Sequence, residues 1–326
     1  MRVGVNPEKY KFEKNKLRYH RVIIPVFIPK STDDYYQESI QVFDSCLNSL
    51  FQTINFSTTA VTVVNNGSSE GVSSKLNNLL KEGVIDKLVD FSDNRGKVYA
   101  ALSEARASYE PYITISDADV LFFSNWEKAV FKIYKSFPKA GVVSPLPSQN
   151  LALYKNNSVF FDKFAAGKIK YAKKVSDEDC ELFLKGMGNM ALHKRINRPF
   201  SWKEKQYFLE KNAVAILGAN HFVATYRKEI FKVNSIFPVE KFSKGYEEYF
   251  LDDIADKAGF YRLSTPSTYA FHMGNKMDEF IEQINFSENE KIEERIFSEI
   301  DKPKESKIPY FLKTFFFRVL RRTKKL

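Results

Sequence analysis

The sequence predicts an α/β fold built on a mostly parallel, twisted sheet flanked by helices. Short apolar, β-branched runs alternate with helix-period stretches over the first ~120 residues, as βα units require. The composition supplies the core: 44% of the residues are hydrophobic and 15% aromatic, far from the composition of disordered chains.

Val22-Ile-Ile-Pro-Val-Phe-Ile28 reads as a buried parallel strand that opens the core. From Tyr36 to Phe51, Ile40, Phe43, Leu47 and Leu50 share one helical face. Thr59 to Val64 forms the second strand, broken by Asn65-Asn-Gly-Ser68, whose residues suit a turn with positive φ. A helix over Val72–Glu82, a strand over Lys87–Phe91, a helix over Lys97–Ser108 and a strand over Tyr112–Ser116 follow. Such sheets bind ligands beyond the carboxyl ends of their strands, which directs attention to the loops at Pro29, Asn65, Asn94 and Asp117.

After a strand at Gly141–Ser144, residues 146 to 212 show no clean period and are rich in Lys, Phe and Tyr, so they read as an elaborated lobe outside the sheet. A strand at Ala213–Leu217 and a helix over Tyr246–Ala258, capped by Gly259, restore the pattern. The last segment, Ile308 to Leu326, has six basic residues and no acid. On a helix it sets Phe311, Phe315 and Val319, with Leu312, Phe316 and Leu320, opposite Lys313, Arg318, Arg321 and Lys325. This is the pattern of a basic amphipathic helix at an anionic membrane surface.

The formal net charge of +10 calls for an anionic partner, but six of those charges belong to the last segment. No nucleic-acid-binding motif accompanies the rest, so nucleic acid is not an expected partner. Cys46 and Cys180 lack metal-ligand spacing and form no disulfide framework. With no secretory signal or spanning segment in view, the expected location is cytoplasmic, peripherally associated with the inner face of the membrane.

Asp117-Ala-Asp119 ends a predicted strand, where side chains two apart point the same way and two carboxylates can converge on one hard cation. Apolar runs flank the triplet on both sides, and charge buried there without a partner costs several kcal/mol. A divalent metal, Mn²⁺ or Mg²⁺, removes that cost. Asp93-Asn-Arg-Gly-Lys97 combines a glycine that permits close backbone approach with two cations, Arg95 and Lys97, suited to phosphate.

The first strand, the helix bearing Cys46-Leu-Asn-Ser-Leu50 and Gln52, the turn Val63-Val-Asn-Asn-Gly-Ser68, the Asn94-Arg-Gly96 loop and the Asp117-Ala-Asp119 triplet occur in a telling order. From Tyr19 to about Asn275 the chain resembles the inverting family 2 glycosyltransferases of GT-A fold. The resemblance implies a Rossmann-like nucleotide-binding half at 19–123 and an acceptor half at 124–275. An extension at 1–18 precedes them, and a charged tail at 276–326 ending in the helix 308–326 follows.

It also implies metal-dependent transfer of a sugar from a nucleoside diphosphate sugar to a hydroxyl of a glycan or lipid-linked acceptor, in cell-surface polysaccharide synthesis. Pro25, Phe27, Asn65, Asn94, Lys97 and Asp117 would bind the donor. Asp119, Asp117 and His272 would hold the metal, and Gly218, Asn220 and His221 would line the acceptor pocket. The family carries Asp where Asn65 stands. Inversion needs a carboxylate base. Measured back from Gly259, Glu247 and Glu248 fall at the family's Glu-Asp pair, with Glu248 first in line and Glu247 and Asp252 as alternatives. Two other readings stay open: a sugar-nucleotide-forming nucleotidyltransferase, which would show a Gly-rich basic first loop where Pro25-Val-Phe-Ile-Pro-Lys30 stands, and a non-catalytic nucleotide-sugar-binding relative.

Overall fold

A computed structural model describes residues 3–10, 18–192, 201–233, 236–241, 245–282, 289–303, 306 and 308–323. Strands β1 (His20–Val26), β2 (Thr59–Asn66), β3 (Lys87–Phe91) and β4 (Tyr112–Ser116) alternate with helices α1 (Ser39–Thr53), α2 (Glu70–Lys81) and α3 (Lys97–Ala107). Val22, Ile23 and Ile24 are fully buried, as a β1 paired in parallel with both β2 and β4 demands.

Beyond β4 come β5 (Val120–Phe122), α4 (Trp126–Ser136), β6 (Ala140–Ser144), α5 (Asn157–Lys163), β7 (Lys170–Ala172) and α6 (Asp177–Gly186). Then follow β8 (Gln206–Glu210), β9 (Val214–Leu217), β10 (Val223–Arg227), α7 (Asp253–Lys257), β11 (Tyr261–Ser264) and β12 (Ala270–His272). Short helices α8 (Glu279–Glu282) and α9 (Arg295–Ser298) lead to α10 (Tyr310–Arg322).

The ten-stranded sheet runs β3-β2-β1-β4-β10-β6-β11-β9-β8-β7. Its β3-β2-β1-β4 half is wholly parallel, and β10 enters antiparallel between β4 and β6. The lobe expected at 146–212 is not separate from the sheet: β8 and β7 extend its edge antiparallel from β9. Their period was hidden because Gln206 is buried in a row of apolar neighbours, where its carbonyl accepts from the Lys174 and Val175 backbones at 2.7 and 3.0 Å.

The C-terminal helix leaves most of its expected apolar face free but buries one of the charges expected opposite it. Lys313, Phe317 and Leu320 form the buried stripe, with Phe317 against Phe160 of α5 at 5.1 Å between ring centroids. Phe311 and Phe315, on the face expected to meet a membrane surface, are 68% and 66% exposed, whereas Lys313, expected on the opposite basic face, is 1% exposed. Packing on α5 selects the i, i+4, i+7 stripe with the best ring fit, and Lys313 reaches Ser158 at 3.4 Å. Lys325 lies outside the described residues. Among the described residues, no helix is long and apolar enough to cross a membrane.

Candidate active site

The carboxyl ends of β1, β2 and β4 open onto a cavity of about 620 Å³ lined by Pro25, Phe27, Asn66, Asn94, Lys97, Asp117 and Asp119. β4 delivers Asp117, whose backbone N–H donates to the Phe222 carbonyl at 2.7 Å. Asp119 precedes β5, and the antiparallel pairing of β5 with β12 sets His272 opposite Val120. The Met273 N–H closes the corner on the Asp119 carbonyl at 2.8 Å. Residues more than 150 positions apart therefore meet: ligand atoms of Asp117, Asp119 and His272 all lie within 4.8 Å of one another.

The donor set fits a divalent cation. Oδ1 of Asp117 and Oδ1 of Asp119 are buried without a hydrogen bond, although the former makes an ion-pair contact with Lys97 Nζ at 2.6 Å. His272 Nδ1 donates to the Gly186 carbonyl at 2.9 Å, which fixes the ring and aims Nε2 at Asp119 Oδ2, 3.4 Å away. Burial pushes the Asp119 carboxyl up to about 6, with the Asp117 charge adding to it and His272 and Lys97 opposing. Carboxylates with one imidazole suit Mn²⁺ or Mg²⁺ by ligand type.

Lys97 is the first residue of α3 and follows Gly96, which sits at φ +84° with its Cα beneath the Lys241 carbonyl. A Cβ at Gly96 would stand 2.2 Å from that oxygen, so the close approach requires glycine. Lys97 Nζ bridges Asp117 Oδ1 at 2.6 Å and Glu247 Oε1 at 2.7 Å. Burial pulls the Lys97 ammonium down, but the two carboxylates outweigh it and raise its affinity for a proton.

A second cavity of about 640 Å³ adjoins the first and shares Lys97 and Lys241 with it. Tyr154, His221, Glu247, Glu248 and Asp252 also line it. Glu247 accepts from His221 and Lys97, which hold it well below the usual carboxylate range. His221 lies 3.3 Å from both Glu247 Oε2 and Asp252 Oδ2. Burial pulls the imidazole down, but these two acids prevail and raise it to about 9. Asp252 is itself tied to Arg262 at 2.7 Å in a buried pair. Glu248 points elsewhere: it pairs with Lys155 at 3.0 Å and its side chain is 49% exposed. A π-helical turn over Glu248–Asp252 breaks the expected Tyr246–Ala258 helix and separates these side chains, a distortion common at functional sites.

Several residues singled out in the sequence line neither of these two cavities. Asn65 is 1% exposed; its amide donates to Ser73 and Asp90, both at 2.8 Å, and its carbonyl accepts from the Ser68 N–H at 3.0 Å. The strand alternation at the end of β2 turns Asn66, not Asn65, toward the cavity, where it donates to Asn94 at 2.9 Å. Asn220 is pinned to Ser148 at 2.7 Å, and Gly218 supports a close crossing, since a Cβ there would stand 2.2 Å from the Ser148 carbonyl. Arg95 stacks on Phe91 at 4.8 Å. Conversely, Asn66 and Lys241 line the cavity, and only the Asn-Asn pair gave a signal in sequence.

Comparison with solved structures gives several distant similarities. Against the S. aureus TarS 1-349 structure the chain has 11% identity and a TM-score of 0.45, covering 79% of this chain and 60% of that one. A mannosyltransferase, PcManGT from Pyrobaculum calidifontis, in complex with GDP-Man and Mn²⁺, gives 15% identity and a TM-score of 0.43, covering 77% and 55%. TarS 1-349 in complex with UDP-GlcNAc gives 11% and 0.44, covering 83% and 62%. This chain thus spans less than two thirds of those proteins. Comparison with curated proteins returns no match. The model of the glycosyl transferase family 2 matches residues 34–197, half of the 326-residue sequence and the stretch that carries the Asn66, Asn94–Lys97 and Asp117–Asp119 corner, so the chain belongs to glycosyl transferase family 2.

Proposed function

We propose that the chain moves a sugar from a nucleoside diphosphate sugar to a hydroxyl of a glycan or lipid-linked acceptor with inversion, in a divalent-metal-dependent reaction. The observation that carries this reading is Lys97, whose ammonium touches both Asp117, in the prospective metal corner, and Glu247, in the adjoining cavity. One residue thus joins a donor cavity to an acceptor cavity. Pro25, Phe27, Asn66 and Asn94 offer a flat, amide-lined slot for the nucleobase, while Asn65 holds the turn that shapes it.

Asp117, Asp119 and His272 would hold the metal, which when bound supplies positive charge to the departing diphosphate. Lys97 and the amino end of α3 add to that charge from this chain. Inversion then needs one carboxylate on the acceptor side to take the hydroxyl proton. We assign this role to Glu247 rather than Glu248, because Glu247 faces the metal corner and Glu248 faces Lys155. As Lys97 turns to the diphosphate, Glu247 loses a partner that depresses its basicity, so donor binding prepares the base. Asp252 and Arg262 fix His221, and His221 fixes Glu247.

The division into a nucleotide half at 19–123 and an acceptor half at 124–275 is part of this reading, supported by a first cavity lined mostly from the former and a second lined mostly from the latter. The exposed Phe311, Leu312, Phe315 and Val319 of α10, beside exposed Arg318, Arg321 and Arg322, support contact with an anionic membrane surface. A screen of nucleotide sugars with Mn²⁺ and Mg²⁺, read by release of nucleoside diphosphate, tests the proposal. At least one donor should turn over with metal, and Asp119→Ala should abolish it. Turnover that survives Asp119→Ala or excess EDTA contradicts the metal-dependent reading.

A further inference from the structure

A cavity of about 1020 Å³, away from the carboxyl ends of β1, β2 and β4, takes no part in the site above. It sits at the amino ends of β6 and β11, between Lys139, the end of α5 and the paired edge strands β7 and β8. None of its lining residues lines either catalytic-side cavity. Lysines dominate it, and the acids present are largely taken. Asp162 accepts from Lys139 at 2.6 Å and from the Tyr261 hydroxyl at 2.8 Å. Glu210 accepts from Lys170 at 2.5 Å and Lys174 at 3.2 Å.

Lys163, Lys168, Lys211 and Lys302 remain, with no recorded ion pair among the described residues, against the single carboxylate of Asp301. They also crowd one another. Burial pulls the Lys163 ammonium down, and the charges of Lys168, Lys139 and Lys211 push the same way, with Asp162 opposing. A wall of mutually repelling ammonium groups around a cavity of this size is stabilised by an anion of high charge density.

We propose that this cavity is a second binding site, for a phosphate-bearing ligand distinct from the sugar donor. Lys163, Lys168, Lys211 and Lys302 line it, Lys163 being the most enclosed of the four. The phosphate can belong to a soluble compound or to a lipid headgroup, since both present the same oxygens.

The test uses inorganic pyrophosphate as probe, titrated calorimetrically in EDTA into the full chain, and in parallel into Lys163→Ala/Lys211→Ala. A second variant, Lys168→Glu/Lys211→Glu, alters only exposed residues and so guards against misfolding. A control, Lys9→Ala/Lys81→Ala, removes two exposed charges elsewhere. Both cavity variants should lose at least tenfold in affinity and the control less than twofold. Equal affinity in wild type and both cavity variants, or no saturable binding to wild type, overturns the proposal. Phosphatidylglycerol vesicles then separate the sources. Pelleting weakened by the cavity variants identifies a headgroup ligand, and pelleting unchanged, with pyrophosphate binding lost, identifies a soluble one. Nucleotide-sugar turnover is measured separately, so failure here leaves the transferase reading intact and the reverse.

Discussion

Exchanging each member of the Glu247–Glu248 pair for glutamine separates two carboxylates that are adjacent in sequence and divergent in space. Glu247→Gln keeps the volume and an acceptor oxygen for Lys97, now 2.7 Å away, but removes the ability to take a proton. Loss of a general base lowers turnover roughly 10²–10⁴-fold, which corresponds to about 2.7–5.4 kcal/mol on the barrier. Donor affinity should change little, because the proposed phosphate contacts come from Lys97 and the prospective metal corner, not from Glu247. Glu248→Gln breaks only a half-exposed pair with Lys155 at 3.0 Å. Such pairs contribute about 0–1 kcal/mol to stability, so turnover should stay within about threefold of wild type. The assay is release of nucleoside diphosphate from the donor found by screening, with donor affinity measured independently. A large loss in Glu248→Gln with Glu247→Gln active refutes the assignment and returns the base to the more exposed carboxylate.

Three further outcomes follow from the same geometry. His221 is raised to about 9 from 6.5, so its contribution to stability is complete below 6.5 and is lost as pH rises through 9. Thermal midpoints of wild type and His221→Ala should therefore diverge at pH 6 and converge above pH 9; parallel curves contradict the Glu247–His221–Asp252 contacts. Gly96→Ala forces a Cβ to 2.2 Å from the Lys241 carbonyl at φ +84°, and should cost about 1–3 kcal/mol in urea unfolding and weaken donor binding as well. Phe311→Ser/Phe315→Ser removes rings that are 68% and 66% exposed, so the thermal midpoint should hold while binding to anionic vesicles falls at least tenfold; undiminished binding removes α10 from the membrane contact.

The parallel half of the sheet was legible because β1, β2 and β4 are buried on both faces and its helices carry one apolar stripe. Ile23 and Ile24 and the α1 stripe Phe43, Leu47 and Leu50 leave little choice of period. The metal corner was legible only in part: Asp117 and Asp119 announce themselves by spacing, whereas His272 depends on the β5–β12 register, which no local pattern encodes. Asn65 against Asn66 is a matter of one residue in strand alternation, and the sequence does not fix where β2 ends. Glu247 against Glu248 turns on a π-helical turn that a 3.6-residue period cannot anticipate. In α10 the periodicity was legible and most of the expected apolar face stays exposed, but the burial of Lys313 was not, because it breaks the rule that charges lie outward. The lysine cavity has no signature at all, since its residues come from α5, the paired strands β7 and β8 and the segment near Lys302.

The central claim is that Asp117, Asp119 and His272 hold a divalent cation against a nucleoside diphosphate. Electron paramagnetic resonance of Mn²⁺, titrated into the full chain with and without UDP and GDP, measures it directly. The account predicts one tightly held ion per chain, affinity that rises when the matching nucleoside diphosphate is present, and loss of both in Asp119→Asn. Wild type and Asp119→Asn binding Mn²⁺ equally, with neither nucleotide altering the titration, would contradict it.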